Sequence, residues 1–180
     1  MIDPAPFRDR RSRILRASAV GVGLSIGALE LALSAVSWVP HVRVHLIGWA
    51  VWPLVLVAPG TLVAVWLAQR SGADLGLLRV LPKRLVVPGV TAMVMLGLSF
   101  GAAIVFKRGP AYVCESVYLD GRYGLDCHGD LRYASQGEFY DVRAAHLRFV
   151  SGGVGYFAVA SALIFAALGR RKRRGHPDGA

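Results

Sequence analysis

The sequence predicts an α-helical membrane protein: a four-helix transmembrane bundle with a small extracytoplasmic β-hairpin or three-stranded cap between helices 3 and 4. Three observations point there. Residues 17–39, 46–68, 85–106 and 149–168 are apolar stretches of 20 residues or more, and a hydrocarbon core about 30 Å thick takes roughly twenty helical residues to cross. The arginines alternate in density between these stretches, as they do in chains with a fixed orientation in a bilayer. The loop at residues 107–148 holds β-favouring side chains and both cysteines of the chain. Because lipid offers backbone groups no hydrogen bonds, the apolar stretches read as helices and not as open sheet.

Residues 1–16 form a basic N-terminal segment with Arg8, Arg10, Arg11, Arg13 and Arg16. The 23-residue stretch that follows exceeds the 7–15 residues of a cleaved signal core. Arg10-Arg11 is followed by Ser12 and Arg13, where a twin-arginine signal would turn apolar, so a retained helix is expected. Arg70, Arg79, Lys83 and Arg84 flank the middle loop, and Arg170, Arg171, Lys172, Arg173 and Arg174 begin the tail. These 14 cations share one side against 7 on the other, which places both termini in the cytoplasm. The division expected is 1–16 cytoplasmic, 17–106 transmembrane helices 1–3, 107–148 extracytoplasmic cap and helix start, 149–168 transmembrane helix 4, and 169–180 cytoplasmic tail.

The formal charge of +10 and the pI near 10.4 are therefore topology signals, and nucleic acid is not expected as a partner. The basic tail beside a span suits anionic lipid headgroups. The preference for Arg over Lys, with much Ala, Gly and Val, suggests a bacterial genome of high GC content. Trp38, Trp49 and Trp52 fall at the outer interface and Trp66 at the inner one, as amphipathic rings do. Pro53, Pro59 and Pro88 are expected to bend helices 2 and 3, since proline removes an intrahelical hydrogen bond.

Within the loop, Val113, Val117, Tyr118, Leu119 and Tyr123 surround Asp120-Gly121, a strong short hairpin signal. A two-residue turn at 120–121 sets the register and places Cys114 directly across from Cys127. Alternation outward from the turn makes this a non-hydrogen-bonded pair, with Cα atoms about 4.5 Å apart, inside the range a disulfide accepts. A disulfide between Cys114 and Cys127 is predicted on the oxidising face. Four helices with a cysteine pair in the second outer loop resemble the quinone-coupled enzymes that oxidise disulfide-forming partners. Those need a second pair, and the first outer loop, residues 40–45, has no cysteine.

The same register sets Glu115 opposite Asp126, with His128 two residues on and expected on the same face, a possible divalent-metal set. Ser135-x-x-Glu138 ahead of Phe139 is a capping box. The helix it opens has Phe139, Val142, His146 and Phe149 on one side and is expected to run into the fourth span. The run from Tyr123 to Tyr140, continued through His146-Leu147-Arg148, resembles the outer loop of small uncharacterised bacterial multi-pass membrane proteins: an aromatic residue, Leu, His-Gly, a strand, then Ser-x-x-Glu-aromatic. That resemblance implies a loop structure and no activity.

Glu30 is the ionisable residue near the middle of the first span. A carboxylate is costly there, so it is expected to face the bundle or a wet cavity and to hold its proton, which makes it the candidate proton site. The small multidrug-resistance transporters are similar in having four helices and a glutamate in the first, but they lack the long outer loop and the charge bias seen here. Hydrogen bonds from Glu30 to Ser99, Thr91 or Tyr156 would serve packing alone. Gly23-x-x-x-Gly27, Gly97-x-x-x-Gly101 and Ser151-Gly152-Gly153-x-Gly155 allow close helix approach, within the bundle or with a partner.

No Ser-His-acid grouping, phosphate loop or His-rich metal motif occurs, so neither an enzyme nor a cofactor is expected. The expected function is that of a non-catalytic accessory or interaction protein of the membrane, bound to membrane lipids and to a membrane protein partner or a second copy. A proton-coupled small transporter using Glu30 is the alternative.

Overall fold

The computed structural model describes residues 5–39, 51–71, 79, 81–105 and 114–174; for 5–13 and 171–174 the backbone alone is described. The short first outer loop with Trp49, the start of the second apolar stretch, Val113 and the last tail residues lie outside these. Helix α1 runs Ala5–Val36, α2 Leu54–Arg70, α3 Lys83–Val105 and α4 Gln136–Arg174. Strands β1 (Cys114–Leu119), β2 (Arg122–Cys127) and β3 (Asp130–Tyr133) form an antiparallel sheet in the order β1-β2-β3.

Three helices, with apolar segments Ile14–Val36, Lys83–Val105 and Gln136–Arg170, are long and apolar enough to cross a membrane. The second apolar stretch is described only from Val51 onward. Its helix has 17 residues and starts after Pro53, which sits at the N-cap. Proline has no N–H to lose at a helix start, so Pro53 opens α2 where a bend had been expected. Pro59 and Pro88 do lie inside α2 and α3. At the other end, α1 starts well before the apolar stretch, because the arginine-rich segment is made of good helix formers.

Helix α4 is the hub, packed along α1, α3 and α2, while α1 and α3 meet less extensively. Two apolar clusters fill the seams. Leu96 of α3 joins Val159, Leu163 and Ala167 of α4, and Val57 of α2 joins Val154 and Ala158. Small residues make the close approaches possible. A Cβ on Gly23 would lie 3.0 Å from the Ala158 carbonyl oxygen, and one on Gly152 would lie 2.8 Å from the Phe100 nitrogen. The first and third small-residue runs thus pack inside the chain.

The cap follows the predicted register residue for residue, from Leu119 opposite Arg122 to Cys114 opposite Cys127. Asp120 and Gly121 take φ of 50° and 77°, the left-handed pair that a tight two-residue turn requires. His128-Gly129 repeats this at 59° and 90°, turning the chain into β3. One sheet face meets the start of α4: Cys114 and Leu125 pack on Val142, and the rings of Tyr118 and Tyr123 lie 4.9 and 5.0 Å from Phe139.

The α4 entry is a reciprocal capping box. Glu138 N–H donates to Ser135 Oγ at 3.2 Å, and Ser135 N–H donates to Glu138 Oε2 at 3.0 Å. These bonds hold the Glu138 carboxyl below the usual carboxylate range. Helix α4 then continues without a break for 39 residues, about 58 Å at 1.5 Å each. The cap and the bundle share one rigid element.

Candidate functional site

Glu30 sits on the face of α1 turned toward α3 and α4, and it is fully buried. Helical spacing puts Gly27 and Ser34 on the same face, one turn to either side. A Cβ on Gly155 of α4 would come within 2.8 Å of Glu30 Cβ and 2.9 Å of Leu96 Cδ2, so the glycine in α4 makes room for the acid. Neither carboxyl oxygen of Glu30 has a hydrogen-bond partner among the described residues. A buried polar group left unmade costs about 1–3 kcal/mol.

The hydrogen bonds considered for Glu30 do not form. Ser99 instead bonds Ser34 across the α1–α3 seam, hydroxyl to hydroxyl. Shorter side chains of equal length meet more easily there than a glutamate reaches round a helix. Thr91 and Tyr156 are both exposed. Ser37 donates to the Ser34 carbonyl, and Arg148 of α4 donates to the Ser37 carbonyl at 3.3 Å while lying 4.6 Å from the Trp38 ring. A run of polar contacts therefore climbs from Ser34, one turn beyond Glu30, toward the cap end of the bundle. Ser34 was legible as the neighbour of Glu30 by its i+4 spacing, whereas Arg148 carries no local signal for a contact 111 residues away.

A second polar contact joins other helices: Thr61 of α2 and Ser161 of α4 bond at 2.9 Å. Both hydroxyls also return to their own helices, at the carbonyls of Val57 and Phe157. Gly97 faces Tyr156, and Gly101 has nothing within 4 Å of where a Cβ would stand. This part of the third helix's small-residue run is open.

In the cap, Cys114 and Cys127 are joined, with Cα atoms 4.0 Å apart. Glu115 and Asp126 stand opposite each other as expected, yet with His128 they do not form a metal-donor group, and no such group occurs among the described residues. Placing His128 on the carboxylate face assumed extended backbone. Its φ of 59° puts it in the turn, outside the strand alternation, and Asp126 Oδ1 accepts from Gly129 N–H at 2.7 Å. The Asp126 carboxylate is thus committed to closing the second turn.

On the helix-facing side, Arg143 Nε donates to Ser116 Oγ at 3.1 Å, and its guanidinium lies 4.8 Å from the Phe139 ring. This contact fixes the sheet on α4. Comparison with protein-family models, with curated proteins and with solved structures finds no match to this chain.

Proposed function

We propose that the chain is a multi-pass protein of a bacterial cytoplasmic membrane, with both termini cytoplasmic and the cap outside, acting as a non-catalytic accessory or interaction protein. The observation that carries this reading is the continuity of α4, which bears the sheet on its first turns and forms the core of the bundle. A cap held this rigidly presents a fixed surface to a partner. Membrane placement is supported by the three long apolar helices and by the exposed apolar side chains of α2 and α3, among them Val55, Leu62, Val87 and Leu98. Trp38 and Trp66 are exposed at opposite ends, each beside an arginine, as interfacial rings would be.

Two surfaces suit a membrane protein partner or a second copy. One is the sheet face turned away from α4, where Leu131 and Tyr133 are exposed. The other is the open stretch of α3 at Gly101. The test is the mass and subunit content of the complex extracted in mild detergent from cells carrying a tagged copy at native level. A second protein or copy that is lost when Leu131→Asp and Gly101→Leu are combined supports the reading. A lone chain, or association retained in that variant, overturns it.

One observation favours a second reading, a proton-coupled small transporter: the buried Glu30 carboxyl without a partner among the described residues. Residues in such costly states concentrate at functional positions. In liposomes with an entrapped pH dye, Glu30→Gln is expected to abolish pH-driven flux. Unchanged flux removes Glu30 from the mechanism.

A further inference from the structure

At the end of the bundle opposite the cap, α1 and α4 enclose an open cleft of about 370 Å³. Its floor is apolar, built from Val20, Phe165 and Ala166, and its polar side chains are Arg16 and Arg170. No acidic side chain lines it among the described residues. A Cβ on Gly169 would stand 3.9 Å from Arg16 Cδ, in ordinary van der Waals contact, so the aliphatic stem of Arg16 lies beside a position with no side chain. Two arginines thus share one cleft, with no counter-charge among its described lining residues.

We propose that this cleft binds one anionic phospholipid, its phosphate between Arg16 and Arg170 and an acyl chain on Val20, Phe165 and Ala166. Guanidinium offers phosphate a planar fork of donors and is held less tightly by water than an ammonium group. The apolar floor selects a lipid over a free phosphate ion, which has nothing to place there. Basic pockets between spanning helices on the cytoplasmic side are suited to anionic headgroups, and the succeeding Arg171, Lys172, Arg173 and Arg174 extend the same field. This site rests on the membrane placement proposed above, and it adds a specific lipid site to the general attraction of a basic tail.

The test is native mass spectrometry of the full chain in detergent, titrated with phosphatidylglycerol, phosphatidylcholine or inorganic phosphate. One phosphatidylglycerol is expected to be retained per chain, more tightly than phosphatidylcholine. The Arg16→Ala/Arg170→Ala variant should bind it about 30-fold more weakly, each cation contributing about fivefold near an anionic surface. Arg79→Ala/Arg84→Ala, an equal charge change elsewhere, should leave it within about twofold. Gly169→Leu, which fills the cleft without changing charge, should weaken it as well. Equal weakening by both arginine pairs, no effect of Gly169→Leu, or inorganic phosphate displacing the lipid would overturn the cleft. Flotation with liposomes after a carbonate wash separates the two proposals. A chain that does not float refutes the placement, and one that floats without phosphatidylglycerol selectivity refutes the cleft alone.

Discussion

Gly21 and Gly27 lie on the same face-to-face helix of the bundle, yet the same substitution should act in opposite directions at the two. A Cβ on Gly27 would fall 2.3 Å from Val159 Cγ2, whereas one on Gly21 meets nothing within 4 Å. Val159 is buried between α1 and α3, and a valine in a helix keeps essentially one χ1 rotamer, so its methyl cannot retreat. Forcing an extra methyl into a packed seam costs about 1–3 kcal/mol. Exchanging Gly for Ala inside a helix returns about 0.8–1.0 kcal/mol at either position. Gly21→Ala is therefore expected to stabilise by up to about 1 kcal/mol and Gly27→Ala to destabilise by up to about 2 kcal/mol. The helix-propensity gain cancels in their difference, which leaves about 1–3 kcal/mol for the packing alone. The assay is reversible unfolding in mixed micelles, followed by far-ultraviolet circular dichroism. Adding Val159→Ala to each should rescue Gly27→Ala selectively, since that methyl is the obstacle. A difference between the two glycine variants below about 0.5 kcal/mol, the usual scatter for independent sites, would refute the α1–α4 packing.

Further outcomes follow from the cap and the buried acid. Closing the 13-residue separation between Cys114 and Cys127 stabilises by about 3 kcal/mol in the chain-entropy estimate; Cys114→Ser/Cys127→Ser should lose most of that in the same unfolding assay, and labelling of both thiols without a reductant would contradict the bond. The Glu138 carboxyl is held below its ordinary range by the capping hydrogen bonds, so its contribution is present above the unfolded value, about 4.3, and is lost as pH falls through the lower folded value. Hydrogen-exchange protection of the first turn of α4 should fall with acid in the native chain and stay flat below neutrality in Glu138→Ala. Glu30→Leu, which removes two partnerless oxygens at similar volume, should stabilise the bundle by about 1–3 kcal/mol; a loss of stability would mean that the carboxyl is hydrogen-bonded inside the bundle.

The sheet was the most legible part of the chain because its register depends on one local decision. Once Asp120-Gly121 makes a two-residue turn, every pair out to Cys114 with Cys127 follows by counting, and the structure has those pairs. The capping box at Ser135 and Glu138 was legible for the same reason: both partners lie within one turn. The failure at His128 has the reciprocal cause. Counting by twos assumes an unbroken strand, and a second left-handed turn began one residue too early for the rule to hold. Length and apolarity marked three of the helices, while the described part of the second is the 17-residue helix that starts after Pro53, a starting residue that hydropathy does not register. The surroundings of Glu30 were only half visible. Its depth in the first stretch and the i+4 position of Ser34 are local, but Gly155, Leu96 and Ser99 arrive from other helices through packing that one sequence does not encode position by position.

The buried acid and the cap are joined by the same helix. Phe139 and Val142 carry the sheet, and Gly155, about 24 Å along the axis from Phe139 at 1.5 Å per residue, makes the space in which Glu30 sits. Between them Arg148 ties α4 to the Ser37 carbonyl near the end of α1, one turn beyond Ser34. An unbroken helix moves largely as a unit, so tilting the cap shifts the Gly155 position against α1. The two-site coupling that this suggests needs a second arrangement of α4 to be real, since coupling is carried by elements with two discrete states. A crosslink that fixes the cap to α1 distinguishes the cases. If the accessory and transport readings describe one device, such a crosslink changes the access of a carboxyl reagent to Glu30. If the cap is only a platform, Glu30 reacts at the same rate with and without it.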